Sequence, residues 1–297
     1  MIDQKYLEEK FAELTAFIEA EDGTEYSELL RAKEREEENS SIREKENAEL
    51  FKEIGIGKTP QAFKKAIDRA RKRTEGTLSK IRDELIQVPD RRLEDRKVIS
   101  QIQSISALGK ACPQAAIYHA NESKFGVGES DGTQKLVLGS QNVWCKAWGG
   151  GLWGAGEISI NADFWFLHYP AAYCNLRIYP YVVLHGFYIN IADDEWWNSA
   201  FSRTRVDVKI RTYQYYWSGW SNHTVHNLGD DNINRYGRID RSGHYYHHMW
   251  VGASDPVWAL VRVRLYAYAR AAGSYAEVNF SDGAGNYVDV PHIHFFC

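Results

Sequence analysis

The stretch Val257–Arg270 constrains the fold of this chain more than any other, because its residues alternate without a break. Val257, Ala259, Val261, Val263, Leu265, Ala267 and Ala269 fall on one face, and Trp258, Leu260, Arg262, Arg264, Tyr266, Tyr268 and Arg270 on the other. A period of two is that of a strand with one face on a core. So long a strand needs neighbours beside it and a second layer against its apolar face, which predicts a β-sandwich or barrel. The opposite face mixes Arg and Tyr, residue types enriched where interfaces carry binding energy. Arg262, Arg264, Tyr266, Tyr268 and Arg270 are therefore candidate ligand or interface residues, and part of their face is expected to be covered by a subunit, a second sheet or a ligand.

The rest of the chain divides near Cys112-Pro113. All 10 Trp lie from Trp144 onward, and of 18 Tyr only Tyr6 and Tyr26 precede that point. The front is rich in Glu, Lys, Arg and Leu, which favour helices, and the back in aromatic and β-branched residues, which favour strands. The expected fold is α+β in two domains: a helical, partly coiled-coil oligomerisation or docking segment over residues 1–112, then an antiparallel, jelly-roll-like β-sandwich over 113–297. About ten short strands with Gly, Asn and Asp turns argue for that sandwich over a βαβ arrangement.

In the front, Leu7, Phe11, Leu14 and Ile18 recur at helical spacing, as do Ile81 with Leu85 and Val98, Ile102 with Ile105. These stripes are narrow and set among charges, so contacts between copies of the chain are predicted, with an intrachain helical hairpin as the rival. Residues 1–53 carry 17 acidic and 8 basic side chains, residues 54–113 carry 7 and 14, a complementarity that favours pairing of helical pieces. Gly57-Lys58-Thr59 lacks the upstream glycine of a phosphate loop; Thr59 and Pro60 instead start a helix, with an interruption expected at Gly76. The cations from Lys64 to Arg73 read as a solvated face, and a net charge of -4 marks no nucleic-acid binder.

In the back, Gly149–Gly156 resembles a dinucleotide loop in composition only, since a strand rather than a helix follows it. It reads as a hairpin tip with Trp148 and Trp153 at its shoulders. Tyr213, Tyr215, Trp217 and Trp220, beside Asn and Asp turns, are the ingredients of a sugar-binding surface, and these six rings join the candidate list. His244, His247, His292 and His294 could place imidazoles together if their strands were neighbours. No carboxylate ligand follows at the usual spacing, so the histidines are read as surface or hydrogen-bonded groups. No cofactor or metal is expected, and none is needed for folding.

Cys112, Cys145, Cys174 and Cys297 form no close pair and are read as free thiols. No signal-peptide-like run opens the sequence and no apolar stretch is long enough to span a membrane. Synthesis in the cytoplasm is expected, with later release or incorporation into an extracellular particle left open. The preferred function is non-catalytic: a structural or attachment protein whose helical arm carries a β head that assembles with other subunits or binds a protein or glycan receptor. A pore-forming, toxin-like protein using the N-terminal helices and a metal-dependent, cupin-like enzyme using the C-terminal histidines are the rival classes.

Overall fold

The structure, a computed structural model, describes residues 5–24, 27, 60–91, 94–95, 97, 118–125, 128–134, 141–150, 154–193 and 199–297. Trp153, Val98, Ile102, Ile105, Cys112 and the Gly57-Lys58-Thr59 segment lie outside them. The chain forms two compact units, Met1–Lys64 and Lys65–Cys297. In the first, α1 spans residues 5–24. Its stripe is the side withdrawn from water: Leu14 and Ile18 are buried, and Leu7 and Phe11 are half-buried.

α2, Pro60–Ile86, begins at the proline that supplies a ready-made φ for a first helical turn. It runs through Gly76 without the expected interruption, since one glycine costs only about 1 kcal/mol relative to Ala in a helix and packing elsewhere along the helix offsets it. From Lys65 on it belongs to the second unit.

Twelve strands follow among the described residues: β1 Tyr118–Phe125, β2 Gly128–Gln134, β3 Gln141–Trp148, β4 Ala155–His168, β5 Cys174–Ile191, β6 Phe201–Tyr213, β7 Ser221–Asp231, β8 Asn234–His244, β9 His247–Val251, β10 Val257–Arg270, β11 Tyr275–Asn279 and β12 Tyr287–Phe296. Every pairing is antiparallel. One sheet has the order β1-β4-β10-β6-β7. In the other, the long β5 has β12 and then β11 along one edge and β9 and then β8 along the other, with β3 and β2 beyond β11 and β12. This is a two-sheet antiparallel sandwich.

β10 lies at the middle of the first sheet, and its even-spaced apolar residues Val257 to Ala269 are all fully buried between the sheets. Against them pack Leu176, Ile178, Val182 and Leu184 of β5, Val143 and Cys145 of β3, and Val288 and Ile293 of β12. The glycine-rich segment is not the tip of a hairpin between paired strands, because β3 and β4 lie in different sheets; a bridge joins Gly150 to Gly154. Glycine is required at 149, where a Cβ would stand 2.0 Å from the Ala271 carbonyl oxygen.

The outward side chains of β5 divide its face in two. Toward Ile191, Phe187, Ile189 and Ile191 are covered by Leu78, Ile81 and Leu85 of α2, together with Tyr275. The contact is pinned by Thr74, whose hydroxyl donates to the Gly273 carbonyl at 2.8 Å, and by Arg82, which donates to Glu277 at 2.5 Å. Burial disfavours the Arg82 charge, but Glu277 outweighs it and the guanidinium pKa is raised. Ile81 and Leu85, expected between copies, are thus buried within the chain, because the sheet offers a wider apolar face than a partner helix would. Toward Cys174, Asn175 and Tyr179 are half-buried and Arg177 is exposed.

Cys174 and Cys297 form a disulfide, with Cα atoms 5.4 Å apart. The expectation of free thiols fails here because the two are 123 residues apart in sequence and meet only when β12 lies beside β5. Cys145 remains a free thiol, its pKa raised by burial.

Candidate functional site

The half of the second sheet toward Cys174 carries a grid of outward side chains fixed by strand register. Trp250 faces Asn175; His248 faces Arg177, which faces Phe296; Tyr179 faces His294; and His244 faces Tyr181, which faces His292. Alternation puts all of these on one side, since their chain neighbours Leu176, Ile178, Met249 and Ile293 point into the core. The rings contact one another across the strands. Tyr173 stacks on Trp250 with centroids 5.5 Å apart, Tyr179 meets Tyr246 at 5.2 Å and Phe296 at 5.7 Å, and Tyr246 stacks on His248 at 5.6 Å.

Among the described residues of the sandwich, seven Tyr and Trp side chains are exposed, and three of them, Tyr173, Tyr246 and Trp250, belong to this network of ring contacts. Tyr173 is 72 % and Trp250 55 % exposed. The Asn175 side-chain oxygen is buried in the same face without a hydrogen-bond partner.

Deeper along the grid, Arg177, Tyr179, His244, His294 and Phe296 line an open cavity of about 490 Å³. His292 and His294 are buried and His244 stands at the surface. One ring nitrogen from each of the three lies within 4.8 Å of the others. Burial holds their pKa values below the ordinary histidine range, that of His292 down to about 4. His247 does not join them. It points into the core, where Thr212, Ser218 and Ser221 surround its two nitrogens at 3.1, 3.1 and 2.8 Å.

The other residues singled out in the sequence lie elsewhere. Trp148 is half-buried, 4.5 Å from the Tyr275 ring and under the Arg71 guanidinium. Tyr215 is exposed and its hydroxyl donates to Asp255. Trp217 and Trp220, expected at an exposed turn, fold back over the outer face of the first sheet. Trp217 lies against Arg211, Trp165 and Tyr213, and Trp220 over Lys209, Arg211 and Arg262. Arg262 is consequently 2 % exposed and makes two bonds, at 2.7 and 2.8 Å, to the equally buried Asp163. What covers the face at Arg262 is therefore the chain's own segment after β6. Arg264, Tyr266, Tyr268 and Arg270 are half-buried; Tyr266 donates to Glu157 at 2.7 Å and Arg270 to Ser199. Tyr173, Arg177, Tyr179, Tyr246, Trp250 and Phe296 went unnoticed in the sequence. The alternation of Asn175, Arg177, Tyr179 and Tyr181 against Leu176 and Ile178 is the signal that could have found four of the grid's positions.

No protein-family model matches this chain, and no curated protein does. Among solved structures, a carbohydrate-binding module, TmCBM61 in complex with beta-1,4-galactotriose, aligns over 60 % of this chain and 87 % of its own, with 8 % identity and a TM-score of 0.21. A carbohydrate-binding module from the β-sandwich superfamily aligns over 64 % of this chain and 62 % of its own, with 10 % identity and a TM-score of 0.23. The enzymatically active domain of bacteriophage CBA120 tailspike protein 4 covers 55 % of this chain and is itself covered over 19 %, at 10 % identity and a TM-score of 0.17. The fold assignment rests on the strand pairings, and the functional reading on the side chains.

Proposed function

We propose that the sandwich is a non-catalytic glycan-binding head whose contact surface is the ring face formed by β9, β5 and β12. The observation that carries the reading is the clustering of exposed aromatic side chains in these ring contacts, with Tyr173 and Trp250 stacked and open to solvent. Flat rings of this kind pack against the C–H face of a sugar, and planar polar groups beside them take its hydroxyls. Asn175, Arg177 and His248 occupy those neighbouring positions. Glycoside hydrolysis by the common route needs two carboxylates about 5 to 10 Å apart, whereas the outward residues of this grid are rings, an amide, a guanidinium and imidazoles. In the same reading the N-terminal helical part is the arm that joins copies of the chain or docks the head on a larger assembly.

A glycan array probed with the purified protein, followed by calorimetry on the best ligand, tests this. Tyr173→Ala and Trp250→Ala are each expected to weaken binding by about tenfold, the equivalent of about 1.4 kcal/mol, while leaving the melting temperature unchanged because both rings are exposed. No glycan bound across the array, or full affinity in the double variant, would overturn the proposal.

A further inference from the structure

β12, which gives His294 and Phe296 to the cavity lining, also carries a group that glycan stacking does not use. His292 is fully buried on β12, and neither of its ring nitrogens has a hydrogen-bond partner. His294, two residues along and 3 % exposed, leaves Nδ1 without one. An unsatisfied buried polar atom costs about 1 to 3 kcal/mol, and three such atoms within two adjacent imidazoles call for a ligand. His244 reaches the same point from β8, across Tyr181. The Tyr181 ring supports the arrangement, lying parallel to His292 at 5.1 Å and edge-on to His244 at 5.0 Å.

We infer that His244, His292 and His294 form a binding site for a divalent transition-metal ion of the zinc class. Three neutral imidazoles are a donor set suited to zinc, nickel, copper or iron and unsuited to calcium or magnesium, which prefer oxygen. Ligand nitrogens about 2.0–2.1 Å from a tetrahedral ion sit roughly 3.4 Å apart. The nitrogens here lie within 4.8 Å of one another, so the rings turn inward on binding. His244, at the surface, has the freedom to make most of that movement, and no hydrogen bond holds either nitrogen of His292 away from the ion. The cavity in front of His244 and His294 leaves room for a fourth ligand, a water or an oxygen of a bound molecule. His-x-His on β12 supplies two ligands from one side of a strand, and register supplies the third, which is why the site needs no close sequence motif. The inference stands on different atoms from the glycan reading and does not depend on it.

Full-length protein stripped with a chelator and titrated with Co²⁺ is expected to develop the visible absorption of tetrahedral cobalt, saturating at one equivalent and displaced by Zn²⁺, with a raised melting temperature. His292→Ala and His294→Ala are expected to abolish the band. Because both rings are buried, His244→Ala is the decisive variant: its side chain is at the surface, so the metal-free melting temperature should be unchanged while affinity falls at least tenfold. His223→Ala, outside the cluster, is expected to titrate as the unsubstituted protein does. Absence of the band, or a band that survives His244→Ala and His294→Ala, would overturn the inference. Tyr173→Ala and Trp250→Ala should leave the cobalt titration intact, so failure of the glycan reading and failure of this one are separable.

Discussion

His247 shows how one buried side chain sets a pH limit on the whole sandwich. Its ring lies in the core among three hydroxyls, and desolvation, with His248 and His223 adding repulsion, lowers its pKa to about 4. The unfolded chain takes up that proton near pH 6.5, so the folded state binds fewer protons between the two values. Stability is then complete above about pH 6.5 and is lost as pH falls toward 4, by about 2 to 3 kcal/mol at pH 4.5. Denaturant unfolding at pH 7.5 and 4.5 should show that loss, and His247→Gln, which keeps hydrogen bonding without titrating, should show it reduced by that amount. In the sequence His247 stood as an equal of His244; only the turn after β8 reveals that three residues of chain carry it to the opposite face of the sheet.

At the scale of the strands, alternation proved most legible where one face is apolar throughout. β10 has the limits its pattern predicts, Val257 to Arg270. β7 and β8 carry no such pattern, because Ser221–Asp231 and Asn234–His244 have water on much of both faces and so leave no period in their hydropathy. The buried pair Asp163 and Arg262 was half visible: an arginine in an alternating run is plain, but its partner on β4 is fixed only by register. Removing one member strands the other charge in a site that excludes water. Asp163→Ala is expected to destabilise the sandwich by about 3 to 5 kcal/mol, whereas Glu75→Ala, paired with Arg71 on the exposed side of α2, should cost about 1 kcal/mol or less. Equal losses in denaturant unfolding would contradict the ranking. The ring face was illegible for a related reason: Tyr173 and Trp250 are unremarkable apart and become a platform only when β9 pairs with the start of β5.

For the whole molecule, the composition break near residue 113 separates helix-forming from strand-forming sequence, but the compact unit containing the sandwich begins at Lys65. The reason is physical: Phe187, Ile189 and Ile191 make one half of β5's outer face apolar, and α2 is what covers it. Composition reports which residues form a helix; it does not report where the helix packs. A chain beginning at residue 65 should therefore fold as a stable unit, while one beginning at residue 113 leaves those side chains and Tyr275 in water and loses the Arg82 partner of the buried Glu277. Fully burying a Leu or Ile contributes about 1.5 to 3 kcal/mol, so the lost contacts of Leu78, Ile81 and Leu85 alone amount to about 5 kcal/mol or more. The shorter chain is expected to melt well below the longer one and to bind a hydrophobic dye, and Leu85→Ala in the longer chain should reproduce part of the loss, about 2 to 4 kcal/mol. Equal melting temperatures for the two chains would mean that the helix rests on the sheet without stabilising it.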